Sequence, residues 1–213
     1  MSHPSNEISA LVQGLAAEIG RRQARGQRRT PASQRPQGSG LEAVRQAAAP
    51  CSDLQSLGQA VEACRACELG QTRERTSFNS VPKTPQGGLE VVLVCGAPGA
   101  AEEASGRALA GEAAEMLEAI LTKGMRREPS SVHVTALVKC RPPGDREPTE
   151  GERASCAGFL ERELELLRPK VVLALGARAA EHLLKVERVG PGARGRLHEV
   201  HGQRVIPLFI QLS

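Results

Sequence analysis

Aromatic side chains are almost missing from this sequence. Its 213 residues include three phenylalanines and neither tryptophan nor tyrosine. The hydrophobic core must therefore be built mainly from leucine, valine, isoleucine and alanine. Proteins that hold single-stranded nucleic acid commonly stack the bases on aromatic rings, and this chain offers few rings for such a platform.

Long apolar runs are missing as well. No stretch approaches the roughly 18–20 apolar residues that a membrane-spanning helix needs, and the polar start of the chain, Met1 to Glu7, does not resemble a secretory signal. We therefore expect a monomeric, cytoplasmic protein with no membrane partner and with reduced thiols. Six cysteines in that compartment favour a metal site over disulfides.

Excess positive charge is confined to the first part of the chain. Residues 1–50 contain seven arginines and three acidic residues, so this segment alone accounts for the net charge of +4. Apolar spacing predicts a short helix over 8–20, and residues 24–40 have the composition of a linker. We assign 1–50 to an N-terminal helix plus a basic flexible linker, which either binds phosphates or is simply solvated. Residues 51–213 are assigned to one domain.

Four apolar runs of strand length alternate with helical patterns along that domain. They cover residues 89–95, 132–138, 170–176 and 204–209. Continuous apolar runs are typical of parallel strands buried on both faces, and their alternation with helices indicates an α/β fold. We predict a three-layer α/β/α domain with a central, four-stranded, mostly parallel sheet. Ligands of such sheets bind beyond the carboxyl ends of the strands.

Four of the six cysteines are spaced for a shared metal site. A CxxC pair can bring two thiolates to one centre, a third cysteine follows the second predicted strand, and a fourth lies in the helix that the capping pattern Thr149-x-x-Glu152 begins. They are Cys64, Cys67, Cys140 and Cys156. Such a site suits zinc or an iron–sulfur cluster, and the spacing does not separate the two. The remaining interpretation is that these are buried structural cysteines, as we expect for Cys95 at the end of an apolar strand.

Several short motifs occur in a characteristic order. A CxxC pair is followed by an APG loop after the first strand, KCRPP after the second, a D-R-x-P sequence and a cysteine in the next helix. These motifs lie at Cys64 to Cys67, Ala97 to Gly99, Lys139 to Pro143, Asp145 to Pro148, and Cys156. In this pattern, residues 54–209 resemble the type 4 enzymes of the uracil-DNA glycosylase superfamily.

The resemblance implies a cofactor, a partner and a reaction. It implies that Cys64, Cys67, Cys140 and Cys156 bind a structural [4Fe-4S] cluster. It also implies DNA as the partner in base-excision repair, where the N-glycosidic bond of a flipped uracil is hydrolysed. Contacts to DNA or uracil are implied for the first loop and for the residue after the third cysteine, that is, for Ala97, Pro98, Gly99 and Arg141.

Four positions depart from the family's catalytic residues. Gly96 replaces an acidic residue that positions or activates water, and Leu109 replaces a phenylalanine that lies under the uracil. Ala136 replaces an asparagine that reads the base edge, and Ile210 replaces a histidine that stabilises the leaving anion. One such loss typically costs about 10²–10³ in rate. Four losses therefore predict weak or lost activity.

Three hypotheses remain open. The chain is a degenerate family member that folds on its cluster and binds DNA, or an active enzyme of altered specificity that uses Glu102, Glu103 and backbone amides at Gly99. The third is a non-catalytic Cys₄ module, with zinc or iron–sulfur, that acts through DNA or protein partners. The family continues beyond the end of this chain, so the resemblance also predicts a shortened C-terminus.

Other polar residues support weaker predictions. Three arginines near the predicted ligand-binding edge either contact phosphate or are solvated or paired: Arg146, Arg194 and Arg196. Four histidines lack the spacing of metal ligands and are expected at the surface or in hydrogen bonds: His133, His182, His198 and His201.

Overall fold

The structure is a computed structural model, and it describes residues 39–79, 89–124 and 128–208. The predicted helix at 8–20, nearly all of the basic segment, and Ile210 lie outside the described residues. Within the described ranges, no helix is both long enough and apolar enough to cross a membrane.

Helices and strands alternate along the described chain. The α-helices are α1 (Ser39–Ala48), α2 (Leu54–Ala63), α3 (Glu68–Thr72), α4 (Ala100–Ser105), α5 (Gly111–Ala119), α6 (Glu150–Leu167) and α7 (Ala177–Leu184). A π-helical turn, Ile120–Gly124, extends α5, and 3₁₀ turns cover Pro129–Ser131, Pro143–Asp145 and Pro191–Ala193. The strands are β1 (Val91–Cys95), β2 (Val132–Ala136), β3 (Val171–Leu175), β4 (His198–Val200) and β5 (Gln203–Leu208).

The predicted α/β sheet is confirmed, with one strand more than expected. The strand order is β2-β1-β3-β5-β4, and β2, β1, β3 and β5 pair in parallel. These four strands coincide with the four apolar runs to within a few residues. Because parallel neighbours need crossover connections, α4 and α5 link β1 to β2, α6 links β2 to β3, and α7 follows β3.

The fifth strand, β4, was not predicted. It has three residues and pairs antiparallel with β5 at the edge of the sheet. The two strands are joined by His201 and Gly202, whose φ angles of 49° and 78° are both positive, as in a type I′ hairpin turn. The segment His198–Val200 has no continuous apolar run, so a search for such runs missed it, although the glycine in the turn was a usable signal.

The sheet separates two apolar clusters, which confirms the three-layer arrangement. Along β1, Val92 and Val94 face one cluster and Leu93 faces the other, because successive side chains of a strand point to opposite faces. The helices on the Val92 side contribute Val44, Leu57, Phe159 and Ala180. The Leu93 side is covered by α5 and the π-helical turn through Leu117 and Leu121.

Helix α1 corrects the predicted boundary of the N-terminal arm. The sequence placed residues 1–50 in the arm, but Val44 and Ala48 of α1 are buried in the main apolar cluster. Helix α1 approaches α6 closely at Gly158. A Cβ built on this glycine would lie only 3.1 Å from Val44 Cγ1, so a residue without a side chain fits here. Our assignment of 1–50 rested on a helix at 8–20 and linker composition at 24–40, and it included no helix over Ser39–Ala48.

Substitution of Gly158 by alanine tests this contact. The added Cβ would lie 2.9 Å from Arg45 Cγ and 3.2 Å from Arg45 N, so α1 must shift. At an unconstrained helix position the same exchange would stabilise the protein by roughly 0.5–1 kcal/mol. We expect Gly158→Ala to lower the melting temperature measured by circular dichroism. A raised melting temperature would mean that α1 does not pack against α6 in solution.

Candidate functional site

Four cysteines from three parts of the chain line one cavity. Cys64 ends α2, Cys67 immediately precedes α3, and Cys140 follows β2. Cys156 lies about two turns into α6, after the capping box in which Thr149 and Glu152 bond each other's backbone amides. All four are free thiols. The structure therefore brings together the cysteines that the sequence grouped.

Backbone amides already point at two of these sulfur atoms. The amide of Ala66 donates to Cys64 Sγ at 3.5 Å. Burial raises the pKa of Cys67, and the backbone amides of the first turn of α3 offset part of that rise. Cys140 pairs with Thr76 in an isolated antiparallel bridge, and the amide of Ser77 donates to the carbonyl of Lys139 at 2.9 Å. The segment that follows α3 is thereby joined to the loop that carries Cys140.

Burial controls the ionisation of the thiols. It raises the pKa of Cys156 to about 12 and raises the pKa values of Cys67 and Cys140 above their ordinary value. The charges of Arg73 and Lys139 oppose this rise at Cys140 and Cys156 respectively, while the neighbouring cysteines add to it. Metal ligation requires thiolates, so a metal bound here would displace the protons that burial retains.

Zinc and an iron–sulfur cluster place different demands on these four thiols. Among the described residues, no three His, Cys, Asp or Glu side chains are placed to hold a single metal ion together. Four thiolates on one zinc ion lie about 2.3 Å from the metal, and therefore within about 4 Å of one another. In a [4Fe-4S] cluster the thiolates bind separate irons, and the sulfur atoms enclose a larger volume.

A buried charged network lies next to Cys140. Lys139 is 1 % exposed, and its Nζ donates to Glu163 Oε2 at 2.7 Å, to Thr135 Oγ1 at 2.6 Å and to the carbonyl of Ala136 at 2.9 Å. Glu163 also accepts from Thr135 at 2.7 Å and contacts His133 Nε2 at 2.7 Å. The network ties the end of β2 to the middle of α6.

Glu163 remains charged within this network. Burial alone would raise the pKa of its carboxyl, but the charge of Lys139 and the hydrogen bonds from His133 and Lys139 outweigh burial and lower the pKa from 4.5 to about 2. A carboxylate whose pKa is lowered by folding stabilises the fold above its unfolded pKa. That contribution is lost as the pH falls from 4.5 towards 2.

Sequence reasoning missed this network and the half-buried Arg73. A signal for Glu163 was present, because Cys156, Leu160, Glu163 and Leu167 follow one another at spacings of four, three and four and share the buried face of α6. A charged residue at a core position of a helix predicts a buried partner.

The two acidic candidates of the first loop are engaged in structural hydrogen bonds. Glu102 accepts from the amide of Gly99 at 3.0 Å and from the amide of Ala110 at 2.9 Å. Glu103 is buried and accepts from the amide of Glu74 at 3.2 Å and from Arg141 at 3.3 Å. Their carboxylates hold α4 and its neighbouring loops together.

The described positions of the family's catalytic residues provide no polar side chain. Gly96 follows β1, and a Cβ built on it would have no atom within 4 Å. Leu109 packs against the apolar cluster beneath α5. Ala136 is fully buried at the end of β2, where it is the register partner of Cys95, and Cys95 itself is only half-buried. Gly96 and Ala136 therefore lie at the carboxyl edge of the sheet, and none of the three positions offers a hydrogen-bonding side chain.

The remaining first-loop residues and Arg141 lie at the same edge. Ala97, Pro98 and Gly99 connect β1 to α4, and Pro98 is buried. Arg141 makes hydrogen bonds of 2.7 and 3.1 Å to Asp145. These bonds and the bond to Glu103 raise the pKa of its guanidinium. A phosphate contact by Arg141 would have to compete with both acids.

The other arginines and the histidines differ in their surroundings. Arg146 forms hydrogen bonds of 2.9 and 2.7 Å to Glu152, whereas Arg194 and Arg196 are exposed. Burial lowers the pKa of His182. His198 contacts the carbonyl of Ala193 at 3.3 Å, and His201 lies in the β4–β5 turn.

Comparison with known proteins was made on the sequence. A model of the uracil DNA glycosylase superfamily matches residues 81–210. A type-4 uracil-DNA glycosylase of Archaeoglobus fulgidus is 36% identical over 134 residues, which are 62% of this chain and 64% of that protein. The matched region therefore spans just under two thirds of that relative.

Two further relatives carry the same name. The type-4 uracil-DNA glycosylase of Saccharolobus solfataricus is 30% identical over 163 residues, or 72% of each chain. That of Thermotoga maritima is 34% identical over 161 residues, which are 73% of this chain and 80% of the relative.

Removal of Lys139 tests the buried network. In Lys139→Met the carboxylate of Glu163 stays buried without its cation, and such broken pairs typically cost about 3–5 kcal/mol. The double variant Lys139→Met/Glu163→Leu removes both charges and should recover more than half of that loss. Urea unfolding of the metal-loaded proteins measures both values.

The exposed pair of Arg45 and Glu161 provides the matched control. Its side chains are 50 % and 42 % exposed, so the corresponding Arg45→Met/Glu161→Leu exchange should change the free energy of unfolding by less than about 1 kcal/mol. If Lys139→Met lowers the free energy of unfolding by no more than this control does, the network does not stabilise the fold as described.

Proposed function

Because the chain belongs to the uracil DNA glycosylase superfamily, we propose that it is an iron–sulfur member that binds DNA and has weak or no uracil-excising activity. The observation that carries the proposal is the contrast between two parts of one domain. The cysteine cavity is complete in its donors, while the described catalytic positions lack theirs.

The donor set and the cavity support a [4Fe-4S] cluster. Cys64, Cys67, Cys140 and Cys156 would hold it, since all four thiols line one cavity. When bound, the cluster would supply cross-links between chain segments and needs no redox change for that role. The amide of Ala66 donates to the sulfur of Cys64.

The family reaction requires groups that the described part of this chain does not present. Hydrolysis of the N-glycosidic bond needs a positioned water, recognition of the flipped base and stabilisation of the leaving anion. Gly96 cannot activate water through a side chain, and Ala136 has no donor or acceptor with which to read the base edge. At about 10²–10³ in rate for each lost group, the combined loss removes useful turnover.

The acids of the first loop do not replace the missing groups. Catalysis by Glu102 would require breaking its bonds to the amides of Gly99 and Ala110, and Glu103 is neutralised by Arg141. A general base must come within hydrogen-bond reach of the proton that it abstracts, and both carboxylates are already engaged in other hydrogen bonds. These contacts favour the degenerate member over an active enzyme of altered specificity.

DNA remains the proposed partner. We propose that the exposed Arg194 and Arg196 contribute phosphate contacts, while Arg141 and Arg146 serve mainly in ion pairs. Part of the basic charge of residues 1–50 would add to such binding through the release of counterions. The affinity for DNA should therefore fall steeply with salt.

Iron and sulfide content tests the proposed centre. Anaerobically purified protein should contain about four iron and four sulfide ions per chain. Cys156→Ser should lose most of both, because it removes one of four ligands. Cys95→Ser provides the matched control, because Cys95 is outside the cavity, and it should retain the parent content. Zinc in place of iron would favour the alternative, a non-catalytic Cys₄ module.

Uracil release tests the loss of activity. We expect no release from a single-stranded uracil oligonucleotide by the iron-loaded parent protein. A variant with the four family residues restored should release measurable uracil. Its substitutions are Gly96→Glu/Leu109→Phe/Ala136→Asn/Ile210→His. The open space at Gly96 accommodates the first of them.

A charge-matched control accompanies the restored variant. Gly192→Glu introduces the same carboxylate where a Cβ also has no atom within 4 Å, in the 3₁₀ turn Pro191–Ala193, and should leave the protein inactive. Release by the unmodified parent at an ordinary enzymatic rate, about 1 s⁻¹ or faster, would contradict the proposal.

A further inference from the structure

Arg73 connects two of the cysteine segments. It is the residue at which α3 ends, and its Nη1 donates to Cys140 Sγ at 3.4 Å and to the carbonyl of Cys64 at 2.9 Å. The same nitrogen reaches the carbonyl of Gly70 at 3.2 Å, and Nη2 donates to the carbonyl of Glu62. One guanidinium thus contacts a sulfur from the loop after β2 and the backbone of the CxxC segment.

Gly70 makes this position of the guanidinium possible. A Cβ on Gly70 would lie 3.1 Å from Arg73 Nη1 and 3.1 Å from the carbonyl oxygen of Cys64. Both distances are tighter than ordinary packing, so any side chain at this position would displace the arginine or the carbonyl. The glycine and the arginine therefore act as one unit of local structure.

We propose that Arg73 is a positioning residue for the metal centre, holding the Cys64 and Cys140 segments in register and placing a fixed positive charge on the Cys140 sulfur. This inference rests on the proposed iron–sulfur function. Hydrogen bonds and charge at a ligating sulfur stabilise the more reduced, more negative state of a cluster and raise its reduction potential. They also hold the ligand in place against loss of metal.

Arg65 provides a control within the same segment. Its Nη1 donates to the carbonyls of Glu62 and Cys64 at 3.1 and 2.8 Å, so it shares two acceptors with Arg73. The contacts to Cys140 Sγ and to the carbonyl of Gly70 distinguish Arg73 from it. A comparison of Arg73→Gln with Arg65→Gln therefore separates the effect of these two contacts from that of the carbonyls that both arginines bond.

The experiment measures cluster properties and does not depend on activity. Reduction potentials are read by redox titration followed by electron paramagnetic resonance, and cluster loss is followed by visible absorbance after addition of an iron chelator. Arg73→Gln should have a more negative potential and lose its cluster about 10–100-fold faster, the usual range for removal of such outer contacts. Arg65→Gln should match the parent in both measurements.

Gly70→Ala covers the case in which Arg73→Gln does not fold. It retains the charge and displaces the guanidinium, and should change both measurements in the same direction by a smaller amount. If both Arg73→Gln and Gly70→Ala match Arg65→Gln, the proposed role of Arg73 is wrong.

The metal content of the parent protein distinguishes a wrong role for Arg73 from a wrong proposed function. Zinc in the parent would overturn the cluster assignment itself. Parent-like behaviour of Arg73→Gln with iron and sulfide intact would overturn the role of Arg73 alone.

Discussion

Four thiols from three separate segments, two of them buried and two half-buried, line one cavity, and this constraint ties together the parts of the domain that carry them. Cys64 and Cys67 are close in sequence, but Cys140 and Cys156 lie far along the chain, on opposite sides of the 3₁₀ turn Pro143–Asp145. Burial raises the pKa values of three of these thiols. A metal that binds thiolates would recover that cost and link the segments at the same time.

Two cationic side chains contact the segments that line the cavity. Arg73 reaches Cys140 from the segment after α3, and Lys139 fixes the end of β2 to Glu163 in α6. Cys156 and Glu163 lie two turns apart on the same buried face of α6. The helix that carries one ligand is thus locked to the strand end that carries another, through an ion pair that needs no metal.

The carboxyl edge of the sheet is under a different constraint. Gly96 and Ala136 present no polar side chain at this edge, which suits the fully buried position of Ala136, because a buried polar group without a partner is unfavourable. Glu102 and Glu103, the acids of the first loop, cap and join loops. The described side chains at this edge therefore serve packing and loop structure.

Much of this architecture was predictable from the sequence, and the exceptions have physical reasons. Apolar runs identified the four parallel strands because those strands are buried on both faces, whereas the three-residue β4 depends on a turn instead of on hydrophobicity. Helix α1 was included in the N-terminal arm. Only two of its side chains, Val44 and Ala48, are buried, so its apolar pattern is weak. The cysteines were grouped by spacing and motif, but Arg73 and Glu163 act through contacts 67 and 24 residues away along the chain. The position of Glu163 on the buried face of α6 was a local signal, but no local pattern identifies the distant partner of either residue.

Hydrogen exchange of the metal-loaded and metal-depleted protein tests the organising role of the cysteine cavity most directly. The account predicts that depletion removes amide protection from residues 64–73, from 139–141 and from the first turns of α6, while β1 and β3 keep theirs. Equal protection in both states, or uniform loss across the sheet, would contradict it.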